Sequence, residues 1–376
     1  MIRGARHKNP GLILASLILS LILAISLLSV RTSAEFPISQ PSTRIVPNFV
    51  LSPLTCLNAT HQENTTSDLQ IAMVAPIFTA TPYDLYDTGS FYAFYHKYAG
   101  DTKPVTTDLD LLNTSLSYGW ANGNGWGASS ELFYSFLSLA QNCGLVLGRN
   151  LSVLTDINVT NGALFSANGS RNYDALIIGF SEYVTAKEYA AYEKFVATGG
   201  TMILTDSDSF QVEVGYSAHS NHEWLIGGHG WAFNGQVATP SVQNFFNQTN
   251  ADWLASSLCC FHDYVYTGAT PNRNNPIGRV LSQTFGSLVF KTYRSHEENA
   301  IDNFTDTSII ATFRDTSGIV VAAYIHRFGY GRVISSGVFL DDILSSDLSA
   351  THFMVQSLVL ALDYENAEPP LPWDLT

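Results

Sequence analysis

The chain has 376 residues, 46% hydrophobic and only 13% charged, with 32 acidic against 18 basic residues and a formal net charge of −14. That hydrophobic share excludes a disordered tail, and an acidic chain without a Lys/Arg cluster excludes nucleic acid as a partner. Setting aside the first 30 residues still leaves enough chain for one large domain or two ordinary ones, with a core that needs no disulfide staples.

The tip 1–10 carries Arg3, Arg6 and Lys8 and precedes residues 11–30, twenty residues without a charge. At about 1.5 Å rise per residue such a helix is roughly 30 Å long, enough to cross a bilayer core. Only Arg31 follows closely, so the positive-inside rule predicts an N-terminus in the cytoplasm and an extracellular remainder. The run is longer than a signal-peptide core, which favours an uncleaved anchor in the cell membrane. Thr32-Ser33-Ala34 is nonetheless an acceptable cleavage site, and cleavage there would give a secreted protein.

Residues 31–67 are rich in Ser, Thr, Pro and Asn without a period and read as a glycosylated stalk. Asn58, Asn64, Asn113, Asn150, Asn158, Asn168, Asn247 and Asn303 each open an Asn-x-Ser/Thr triplet, the acceptor pattern for N-glycans on an exported chain. Cys56, Cys143, Cys259 and Cys260 allow three pairings as two disulfides; neighbours such as Cys259 and Cys260 rarely bridge each other.

Regular pattern begins with Leu69-Gln-Ile-Ala-Met-Val-Ala-Pro76, a short apolar run that predicts a buried first strand. Residues 118–130 predict a loop, 130–142 a helix, and Asn150-Leu-Ser-Val-Leu-Thr155 a second strand. Asp174-Ala-Leu-Ile-Ile-Gly179 reads as a parallel strand covered on both faces. Thr185-Ala-Lys-Glu188 is a capping box, Tyr189, Tyr192, Phe195 and Val196 form one apolar stripe, and Gly199-Gly200 ends the helix. Thr201-Met-Ile-Leu-Thr205 completes a βαβ unit. Residues 211–300 lose this regularity and read as an irregular insertion. Pattern returns at Ser308–Phe313, Ile319–Ile325, Arg332–Ser335 and a terminal helix over about 349–362, before a tail at 367–376. The fold class is α/β over 68–366, a doubly wound, mainly parallel sheet of flavodoxin-like type.

In such sheets ligands bind beyond the carboxyl ends of the strands. Two polar loops fall there, Ser181-Glu182-Tyr183 and Asp206-Ser207-Asp208-Ser209. Glu182 and Asp206 could hold a hard cation or act as acid and base. Ser207 is a nucleophile only in principle, because the glycines of a nucleophile elbow are missing. His219, His222, His229 and His262 in the irregular region are secondary metal candidates, on weak spacing.

The stretch Tyr173-Asp-Ala-Leu-Ile-Ile-Gly-Phe-Ser-Glu-Tyr183, its capped helix and the glycine pair resemble the C-terminal domain of the N,N-dimethylformamidase large subunit. That domain has a fold related to class I glutamine amidotransferases. Ala75-Pro-Ile-Phe-Thr-Ala-Thr-Pro-Tyr83 and Ser90-Phe-Tyr92 are similar to the family's first strand and tyrosine-bearing loop. The resemblance spans roughly 69–210 and, more weakly, runs to 362. It implies a mononuclear iron, or zinc, held by Glu182, Tyr83 and a second tyrosine, either Tyr92 or Tyr118, and a small linear amide as substrate. Two positions depart from the family: Phe180 stands where it has histidine and Val184 where it often has tryptophan. A glutamine amidotransferase reading fails because Asp206-Ser207-Asp208 occupies the place of the cysteine nucleophile. Two functions follow as expectations. The favoured one is a cell-surface binding or structural module with an eroded site and a protein or glycan partner. Its rival is a metal-dependent hydrolase of amide C–N bonds.

Overall fold

The computed structural model describes residues 69–84, 89–98, 108–117, 146–207, 209–241, 252–259, 264–286, 288–289, 293–295, 298–301, 306–315, 318–338, 340 and 348–367, all within one unit, Thr43–Thr376. In chain order the strands are β1 (Ile71–Ala75), β2 (Asn113–Ser115), β3 (Leu151–Thr155), β4 (Ala175–Ile178), β5 (Tyr183–Val184), β6 (Thr201–Leu204), β7 (Val212–Ser217), β8 (His222–Gly228), β9 (Trp231–Phe233) and β10 (Ala238–Pro240). They continue with β11 (Ser256–Cys259), β12 (Tyr264–Pro271), β13 (Tyr293–Ser295), β14 (Glu298–Ile301), β15 (Thr307–Asp315), β16 (Ile319–Phe328) and β17 (Gly331–Ser336). The helices are α1 (Ile77–Asp84), α2 (Phe91–Tyr98), α3 (Asp156–Thr160), α4 (Ala186–Ala197), α5 (Pro276–Phe285) and α6 (Leu348–Ala367).

The apolar runs at 71–75, 175–178 and 201–204 are buried at every residue, because their strands lie inside a nine-stranded sheet covered on both faces. Alternate residues serve opposite cores. Val74, Leu176, Ile178, Met202 and Leu204 meet the α4 stripe of Tyr189, Tyr192, Phe195 and Val196. Met73, Ile177 and Ile203 face Phe78, Phe91 and Phe94 from α1 and α2, and Phe353 and Leu358 from α6. The capping box of α4 forms as its sequence predicts: Thr185 Oγ accepts the Glu188 N–H at 3.1 Å and Glu188 accepts the Thr185 N–H at 3.4 Å.

The sheet order is β13-β12-β15-β16-β17-β6-β4-β1-β3. Its half from β3 to β17 is parallel; the half from β17 to β13 is antiparallel. The α/β class holds, and the sheet is mixed. The late strands run antiparallel because β16 and β17 are joined by Gly329 and Tyr330 alone, and a parallel neighbour would need a long crossover. Gly329 takes φ +58°, and a Cβ there would lie 2.6 Å from the Ala197 carbonyl oxygen, so the turn packs against the end of α4.

Residues 211–300 are more regular than expected. A six-stranded sheet runs β10-β9-β8-β7-β5, with β2 added on β8. Its pattern is hidden in the sequence because inward positions of β8 include Glu223 beside Leu225, and Gly215 of β7 leaves its place to the Trp224 ring.

Two expectations are corrected. Among the described residues no helix is long and apolar enough to cross a membrane. No disulfide occurs among them either. Cys259 lies on β11, whereas residues 11–30, Cys56, Cys143 and Cys260 lie outside the described residues, as do the stalk 31–67 and the predicted helix at 130–142.

Candidate functional site

β4 leaves the large sheet at Ile178 and β5 enters the smaller one at Tyr183, so Glu182 stands in the turn where the two sheets meet. The start of β7 fastens that turn: Phe210 donates its N–H to the Ser181 carbonyl at 2.8 Å, and Gln211 and Val212 donate to the Glu182 carbonyl at 2.9 and 3.0 Å. Glu182 itself has no exposed surface.

Helix α1 starts directly beyond β1. The Asp156 carboxylate accepts the Phe78 N–H at 2.7 Å and so holds the first turn of α1, while the last turn presents Tyr83. Ser90 donates its hydroxyl to the Pro82 carbonyl at 2.8 Å, which ties the start of α2 to the end of α1 and brings Tyr92 beside Tyr83. Their rings are 4.6 Å apart. Tyr83 donates its hydroxyl to Glu182 Oε2 at 2.9 Å; the Tyr92 hydroxyl lies 3.0 Å from the same oxygen and 2.5 Å from the Tyr83 hydroxyl. Of the two candidates for a second tyrosine, Tyr92 thus lies beside Tyr83 and Glu182, and Tyr118 lies outside the described residues.

The other carboxylate oxygen, Oε1, meets His229 Nε2. His229 and Gly230 form the two-residue turn between β8 and β9, both left-handed at φ +49° and +81°, as a hairpin of the primed type requires. The imidazole is enclosed by the rings of Tyr95 at 4.8 Å, Tyr92 at 5.8 Å and Tyr183 at 5.9 Å. Tyr95 and Tyr183 are buried with hydroxyls that find no hydrogen-bond partner among the described residues. Burial, and next the charge of Glu182, pushes both phenols well above their ordinary range. Phe180 is buried with its ring 5.1 Å from that of Tyr83 and supplies no donor.

The remaining sequence candidates are placed elsewhere. Asp206 and Ser207 are buried in the neighbouring strand-end loop, where Asp206 Oδ1 accepts the Leu340 N–H at 2.6 Å and Oδ2 the Thr205 hydroxyl at 3.3 Å. His222 contacts the Ser220 carbonyl at 2.7 Å and the Ser115 hydroxyl at 3.1 Å, His219 is exposed, and His262 lies outside the described residues. Of the sequons, Asn113, Asn158 and Asn168 are exposed. Asn150 is 4% exposed and its side-chain oxygen accepts the Val146 N–H at 2.7 Å. Asn58, Asn64, Asn247 and Asn303 lie outside the described residues. Sequence reasoning passed over Tyr95, whose signal was its position three residues after Tyr92 on one helix.

Among the described residues no three of His, Cys, Asp and Glu gather in a metal-holding group; Glu182 and His229 are a pair, and the other polar atoms at the site are phenolic. No family model and no curated protein matches the sequence. Among solved structures, the chain is similar to a β-galactosidase from Bacillus circulans at 12% identity and TM-score 0.39, covering 81% of this chain and 32% of that one. It is similar to a β-galactosidase from a Rahnella species at 12% identity and TM-score 0.38, with the same coverage of 81% and 32%. A putative ThuA-like protein from Bacteroides uniformis aligns at 10% identity and TM-score 0.38, over 62% of this chain and 83% of that one. The chain spans about a third of the length of the β-galactosidases, and likenesses this low bear on neither fold nor activity.

Proposed function

We propose that the protein is a metal-dependent hydrolase of C–N bonds in small amides, with the metal held by Glu182, Tyr83 and Tyr92. The observation that carries this reading is the convergence of two tyrosine hydroxyls, from separate helices, on one oxygen of a fully buried carboxylate. The dimethylformamidase resemblance implies Glu182, Tyr83 and a second tyrosine, Tyr92 or Tyr118, and with them an amidotransferase-related parallel core.

The donor set fits a hard cation. A carboxylate and two phenol oxygens are hard ligands, and the orphaned buried hydroxyls of Tyr95 and Tyr183 leave polar capacity beside them. Such a cation supplies Lewis acidity toward an amide carbonyl. The chain's own part is to hold the donors. Glu182 is fixed by the β7 backbone, Tyr83 and Tyr92 would bind through their hydroxyl oxygens and release the protons to solvent, and the rings of Phe180 and Tyr95 pack against those of Tyr83 and Tyr92.

A binding module that has lost its chemistry is the second reading, favoured by Phe180 in the place of the family's histidine. Elemental analysis of the full chain after iron or zinc loading, beside Glu182→Gln, separates the two. One metal per chain in the parent, lost in the variant, with amine release from a panel of small amides, supports the hydrolase. A folded parent that takes up no metal under any loading condition overturns it and favours the binding module.

A further inference from the structure

We propose that His229 is a fourth donor to the ion held by Glu182, Tyr83 and Tyr92, contributing an imidazole nitrogen through Nε2; this rests on the metal-site reading above. The two tyrosines share Glu182 Oε2, and His229 Nε2 is on Oε1, so the donors approach the carboxylate from both of its oxygens. The imidazole side chain is 30% exposed whereas that of Glu182 is not exposed at all, which places His229 on the solvent side of the group.

Its position is built rather than incidental. Trp231, the first residue beyond the turn, is buried and packs edge-on to Phe94 of α2 at 5.3 Å. On the other side, a Cβ on Gly228 would lie 2.7 Å from the Val212 side chain, so only glycine lets the hairpin lie this close to β7. The ring enclosed by Tyr92, Tyr95 and Tyr183 has little room to rotate away. The left-handed backbone of His229, φ +49°, is the one a two-residue primed turn requires, so the hairpin fixes where this side chain starts.

The chemistry also favours a neutral fourth donor. Two phenolates and a carboxylate already bring three negative charges to one cation; an imidazole adds a bond without adding a fourth. Phe180, beyond β4, brings no nitrogen to the site, and the hairpin of the smaller sheet supplies one.

The test loads the full chain with ferric iron and measures metal stoichiometry together with nitrogen hyperfine couplings by pulsed electron paramagnetic resonance. The variant is His229→Gly, since glycine accepts the left-handed backbone, with His229→Asn as a second variant should the first fail to fold. The expected result is one directly coordinated imidazole nitrogen in the parent and none in the variants, which keep iron through three oxygens at about tenfold or more weaker affinity. Iron bound in the parent with no coordinated nitrogen overturns the proposal and leaves the three-oxygen site intact. A coordinated nitrogen that persists in the variants overturns it too, and assigns the ligand to another histidine. A parent that binds no iron removes both this proposal and the metal site on which it rests.

Discussion

The Thr79 hydroxyl accepts the backbone N–H of Tyr183 at 3.0 Å, a buried bond that joins residues 104 positions apart. It fixes the middle of α1 against the residue that follows Glu182, one helical turn before Tyr83. Thr79→Val keeps the shape and removes the acceptor, leaving a buried N–H unpaired. The expected loss is about 1–3 kcal/mol in urea denaturation, and the proposed metal site adds weaker metal uptake, because Tyr83 and Glu182 lose their common brace. Unchanged uptake in a destabilised variant would show that the brace serves the fold alone.

Tyr83 and Tyr92 act on one oxygen and on each other. Tyr83→Phe and Tyr92→Phe are therefore expected to be non-additive. A double-mutant cycle on metal-free stability should give a coupling of about 0.5–3 kcal/mol, the range for residues in one hydrogen-bond network. Additivity within about 0.5 kcal/mol would mean that the hydroxyls do not share Glu182 in solution.

Glu223 is fully buried, and neither carboxylate oxygen has a hydrogen-bond partner among the described residues. Burial first, then the charge of Asp156, holds its carboxyl well above the ordinary range. The unfolded chain ionises this group near pH 4.3 while the fold keeps it neutral. Its contribution to stability is thus complete below that pH and is lost as pH rises toward the native value. Glu223→Gln should match the parent at pH 4 and exceed it at pH 8 by about 1 kcal/mol or more, read from melting curves. A gap of equal size at both pH values would count against this account.

Gly215 lies under the Trp224 indole, where an added Cβ would sit 2.2 Å from the ring. Gly215→Ala should displace the indole, shift its fluorescence to the red and cost about 1–3 kcal/mol. A variant with parental emission and stability would place Trp224 away from β7.

The parallel core was legible because its signals are local. Continuous apolar runs at 71–75, 175–178 and 201–204 mark strands buried on both faces, and Thr185 with Glu188 marks the helix between two of them. Glu182, Tyr83 and Tyr92 were named through the family resemblance, and their side chains meet. His229 was one of four histidines with equal claims, since its place depends on a hairpin whose strands carry glycine, tryptophan and a buried glutamate instead of an apolar alternation. The antiparallel wing was hidden for a different reason: the turn at Gly329–Gly331 is legible, but the direction of the strands follows from how short that connection is and not from their apolar pattern. Asp206 carries the residue type of a catalytic acid, and its bond to the Leu340 amide, 134 positions away, has no signal in the sequence.

The register of β6 against β17 pairs Thr201–Leu204 with Arg332–Ser335, the last strand of the chain joining its parallel half. As the chain leaves the ribosome, Tyr83, Tyr92, Glu182 and His229 are all outside well before β17 is made. Until then β6 presents an open sheet edge, already apolar on both faces, to whatever else is in the cell. The nascent protein thus has all four of these side chains before it can close its own sheet, and in that interval an incoming strand from another chain can compete with β17 for the same edge.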